Sequence, residues 1–115
     1  MRAAVMGGLI LAISGGLAAS AQSPEMDFRV QARCLAVYEA AATAVEAVGG
    51  DKPLVKLLDR NRERTALALA ARRDVPASVN PAALQEAEAQ NLEGQSRDSL
   101  VAQARTCDKA LGYGS

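Results

Sequence analysis

Cys34 and Cys107 are the only two cysteines in this chain of 115 residues, and they are its clearest candidates for a covalent role. They stand over seventy residues apart, which excludes the close Cys-x-x-Cys pair of a redox catalyst. The chain has no histidine, so it can build neither a Ser-His-Asp triad nor an imidazole site for zinc, copper or haem. The Glu-x-x-His pairs of di-iron bundles are absent for the same reason. Glu86 and Glu88 diverge on a helix, while Asp59 and Glu63 share a face but lie among Arg60, Arg62 and Arg64. Neither pair makes an acid and base for catalysis. No Gly-x-x-x-x-Gly-Lys loop cradles a phosphate. The expectation is a protein that is not an enzyme, with no catalytic residues, no metal ligands and no cofactor.

What the cysteines do depends on compartment, and the first residues address that. MRAAVMGGLILAISGGLAASA carries a positive start at Arg2, an apolar stretch from Val5 to Leu17, and small residues at Ala19-Ser20-Ala21 for a peptidase cleft. Glycines at 7, 8, 15 and 16 break the apolar stretch, which is short of the roughly 20 apolar residues of a spanning helix. Residues 1–21 therefore read as a cleaved secretory signal, and residues 22–115 as a single helical domain beginning at Gln22, periplasmic or secreted, with no stable membrane span after cleavage. No cysteine follows the cleavage site, so a lipid-modified terminus is not indicated. In an oxidising compartment two cysteines pair, and the expected disulfide is Cys34–Cys107.

Without Arg2, 12 basic residues face 13 acidic ones, a formal charge of −1 that gives no reason to bind nucleic acid or an anionic membrane surface. There is no Trp, one Phe and two Tyr, so the core must be thin and rich in alanine.

The remaining sequence is helical in period throughout. Val30, Cys34, Val37, Ala41, Val45 and Val48 recur at spacings of three and four, with Arg29, Arg33, Glu39 and Glu46 off that line. Gly49-Gly50 stops this first helix, and Asp51 with Pro53 starts a second. The second runs from about Lys52 to Arg73 and is expected to bury Leu54, Leu57, Leu58, Thr65, Ala68 and Leu69. Asp74-Val75-Pro76 ends it, and Asn80-Pro81 starts the next. Residues 81–111 read locally either as one helix or as two, broken near Gly94 with Ser96 as a new cap. Gly112 stops the last helix, and Gly112-Tyr113-Gly114 reads as a flexible tail.

The disulfide chooses between these options. In three up-and-down helices, Cys34 near the start of the first and Cys107 near the end of the last would be about 20 Å apart. In four, the last helix runs antiparallel to the first and returns Cys107 to the level of Cys34. The fold class is therefore all-α, a small up-and-down four-helix bundle stapled by one disulfide, or three helices if the Gly94 break is absent.

Phe28 and Tyr38 take a core or groove role by default, and the charged face of the second helix reads first as a solvated surface; the alternative is that Tyr38, at the edge of the apolar stripe, presents its hydroxyl and forms a candidate interaction surface with Arg60 and Arg64. Alanine runs such as Ala40-Ala41-Ala42 leave room for close helix approach, within the chain or from another copy. The expected role is a non-enzymatic interaction or structural component of the bacterial periplasm or envelope, partnered by another exported protein or by itself. The alternative is an acid-stress holding chaperone that exposes apolar helix faces.

Overall fold

The structure is a computed structural model that describes residues 24–114. The signal at residues 1–21 and the start at Gln22 lie outside the described residues. The described residues form four helices, α1 (Pro24–Ala47), α2 (Lys52–Ala70), α3 (Pro81–Leu92) and α4 (Arg97–Ala110), and no strand.

Local chemistry accounts for the boundaries. Asp51 caps α2 by accepting from the Leu54 N–H, and Asn80 caps α3 by accepting from those of Ala82 and Ala83. Ser96 accepts from the Ser99 N–H and caps α4, with Asp98 in its first turn. The break between α3 and α4 falls at Gly94, whose φ of 82° is a left-handed conformation that a side chain disfavours. It resolves residues 81–111 into two helices. α2 ends at Ala70, three residues short of the expected Arg73, and just beyond it the Arg72 guanidinium bonds Asp74 at 2.7 and 3.0 Å.

α1 is the axis of the molecule. It packs against each of the other three helices, which touch one another far less. Five successive residues, Cys34 to Tyr38, are buried, so α1 is covered on more than the one stripe its periodicity suggested. Ala32, Ala36, Ala41 and Ala42 are buried on α1, and their small side chains let the neighbouring helices approach closely. Arg29, Arg33, Glu39 and Glu46 are exposed in the gaps between those neighbours.

Contacts along α1 give the directions. Leu69, near the end of α2, packs with Phe28, Ala32 and Leu35, whereas Leu54, near its start, lines a cavity with Val45, so α2 runs antiparallel to α1. Leu84 of α3 joins the Phe28 cluster and Leu92 joins the larger one, so α3 turns back parallel to α1. α4 starts beside Val45, where Arg97 and Val101 share a cavity wall with it, and ends at the Cys34–Cys107 disulfide. The two Cα atoms are 5.7 Å apart, and both cysteines are buried. This is the up-and-down four-helix arrangement that the disulfide requires.

Three apolar side chains expected inside lie outside. Val48 is 62% exposed because α1 ends before it, at Ala47. Leu57 is 41% exposed and Ala68 is also exposed, while Asn61 takes the inward position between Leu58 and Thr65.

Candidate functional site

The polar residues that the bundle buries meet at one seam, where α1, α2 and α4 come together beside the disulfide. Tyr38 on α1 donates its hydroxyl proton to Oδ1 of Asp108 on α4 at 2.6 Å. Asn61 on α2 donates through Nδ2 to the same oxygen at 3.0 Å. One carboxylate oxygen thus joins three helices. Burial pushes the Tyr38 phenol far above the usual tyrosine range, and the hydrogen bond to the Asp108 carboxylate pushes the same way.

A second junction adjoins the first, one helical turn further along α2. Thr65 gives its single hydroxyl proton to the Asn61 carbonyl at 2.7 Å, which makes the Tyr113 hydroxyl the donor in their 2.7 Å contact. The Arg64 guanidinium lies over the Tyr113 ring, 3.9 Å from its centroid. Gly112, at φ 75°, turns the chain so that the Tyr113 N–H reaches the Asp108 carbonyl at 2.8 Å. The segment expected to be a flexible tail is a latch from α4 to α2. Tyr113 could not be seen as such from sequence, because its partners lie 48 and 49 positions away on another helix.

The three residues of the expected interaction surface separate. Tyr38 has no exposed surface, so its place in that surface is corrected: its hydroxyl serves Asp108 inside the bundle. Arg60 and Arg64 are exposed, one turn apart on α2. Asn61 and Asp108 carry the junction and were missed. Their signal was positional, since Asn61 shares the face of Leu58 and Thr65, and Asp108 follows the stripe cysteine Cys107.

The acidic residues remain dispersed. Glu86 is exposed and Glu88 half-buried on α3, and Asp59 pairs with Arg62 at 3.9 Å. Among the described residues, no group of three or more Asp, Glu, His or Cys side chains is placed to hold a metal ion.

Next to the junction, α2 and α4 part and leave a groove of about 190 Å³. Leu54, Leu57 and Leu58 form its α2 wall, Val101 and Ala104 its α4 wall, and Arg105 and Asp108 its polar end. Among the described residues no helix is long and apolar enough to cross a membrane. No family model matches the chain, and no curated protein or solved structure shows significant similarity to it.

Proposed function

We propose that this chain is a small exported helical-bundle protein that works by binding another protein of the bacterial periplasm or envelope, without catalysing a reaction. The observation that carries this reading is the division of labour around α1. Its buried polar groups are consumed in bracing three helices at one seam, while beside that seam an apolar groove with Leu57 exposed stays open. A braced frame with an open apolar recess suits recognition, because little order has to be created on binding. The buried disulfide supports an oxidising compartment. Crosslinking the exported protein in cells, followed by mass spectrometry of the adducts, tests the reading. A recurrent partner is expected, on a chain that starts at Gln22 and lacks the two thiol hydrogens. Adducts scattered over abundant bystanders, or a reduced, uncleaved chain, would overturn it.

One observation favours the second reading, a holding chaperone loosened by acid. Both side-chain hydrogen bonds that tie α1 and α2 to α4 end on one carboxylate oxygen, so loss of that single acceptor loosens three helices at once. Dye binding and circular dichroism from neutral to strongly acidic pH decide this. A chain that stays compact throughout and does not suppress client aggregation removes the chaperone reading.

A further inference from the structure

We infer that the groove between α2 and α4 docks an acidic segment of a partner protein, which inserts one large apolar side chain between Leu57 and Val101 and sets its carboxylates against Arg60, Arg64 and Arg105. The inference rests on the binding function proposed above and names the site and chemistry of the partner. At about 190 Å³ the groove is smaller than the roughly 300–1,000 Å³ clefts that enclose small ligands, and it suits a single anchoring side chain.

Counting about 100° per residue along α2, Arg64 lies almost directly in line with Leu57 and Arg60 lies on its outer flank, so the α2 rim is cationic. Arg105 lines the facing α4 wall, and Lys109 continues it towards the C-terminus. The acidic residues of α2 are turned elsewhere, with Asp59 on the opposite side beside Arg62 and Glu63 well round from Leu57. The carboxylate in the groove, Asp108, has Oδ1 engaged by Tyr38 and Asn61. Asp51 and Asp98 lie at the other end, where with Arg97 they line the neighbouring cavity that shares Leu54, Val101 and Arg105 with the groove, so the cations gather at the end of the recess beside the Asp108 junction. Complementary charge speeds encounter and excludes basic competitors, while the apolar anchor supplies affinity.

The probe is a library of random linear peptides displayed on phage, selected on the oxidised exported protein. Selected sequences are expected to be rich in Asp and Glu around one Leu or Phe. Their binding should weaken at least about tenfold in an R60E/R105E variant, which leaves the Arg64–Tyr113 contact intact, and fall with added salt. It should be unchanged in R33E/R73E, which alters the same net charge at exposed positions elsewhere. All four arginines are exposed, and retention of the wild-type circular dichroism checks that each variant folds.

Peptides without acidic enrichment, equal loss in both variants, or no selected peptide would overturn the inference, as would binding to phosphatidylglycerol vesicles in place of peptides. A photo-crosslinking residue at Leu57 or at Ala83 separates this failure from that of the function. Partner capture from Ala83 alone keeps the binding function and rejects the groove; capture from neither position rejects both.

Discussion

α1 is held differently on its two sides. Towards α2 and α4 it is cross-braced by the disulfide and by Tyr38 reaching Asp108, with the Asn61–Asp108 and Thr65–Tyr113 contacts tying α2 to α4. Towards α3 it relies on apolar burial, with Leu92 and Leu84 as the principal large side chains from a helix of 12 residues whose alanines at 82, 83, 87 and 89 face solvent. Directional bonds hold a geometry, whereas apolar contact mainly holds area. The braced side can therefore keep a groove open between two helices, and the α3 side has to close directly on α1.

The largest test of this contrast is removal of the disulfide. C34S/C107S opens a loop spanning 73 positions, and the chain-entropy model puts the loss near 4 kcal/mol, read from urea unfolding. A loss under about 1 kcal/mol would mean that the polar junction and core alone hold α4.

Leu92→Ala attacks the other side. About 2 to 3 kcal/mol should go, with early hydrogen exchange confined to α3, since little else large anchors that helix. Uniform loss of protection across all helices would show that the two sides are not separable.

Tyr38→Phe removes one bond to a carboxylate and should cost about 1.5 to 2 kcal/mol. The same group gives a sign for alkaline pH. The folded state holds the Tyr38 proton more tightly than the unfolded state does, so this stability is complete below the ordinary tyrosine value near 10. It is lost as pH rises above that value. In an ultraviolet titration one phenol should ionise only together with unfolding, and two phenols ionising in the folded protein would contradict the buried bond.

Tyr113→Ala is the mildest change, near 1 kcal/mol, with faster exchange limited to the end of α4. Unchanged exchange there would return the segment to the status of a tail.

Much of the fold was legible because its signals are local. Asp51-Lys52-Pro53, Asn80-Pro81 and Ser96 start helices through side-chain oxygens within three residues of the amides they cap, so no distant partner is needed. The reading of α2 failed at Leu57 and Asn61, which are about 40° apart on the helix. Apolarity favoured Leu57 for the inward position, and Asn61 occupied it because Asp108, 47 positions away, supplied an acceptor. Burying an amide costs free energy until such a partner exists, and hydropathy contains no term for one. Tyr38 holds the core position expected by default for a large aromatic, and the alternative of a presented hydroxyl fails because a phenol at a stripe edge turns inward when a carboxylate waits there.

Cap residues, helix-breaking glycines and the spacing of two cysteines were enough, by sequence, to predict four helices and the antiparallel return of the last one. Each is a local preference or a distance limit that a covalent bond imposes on any fold. Tertiary structure alone made α1 the shared axis, brought Tyr38, Asn61 and Asp108 to one oxygen, and turned Tyr113 from a tail into a latch. It also left a groove open between α2 and α4 beside that junction. Those features depend on which helix faces meet, and pairing of faces is settled by packing and by hydrogen-bond partners far apart in the chain.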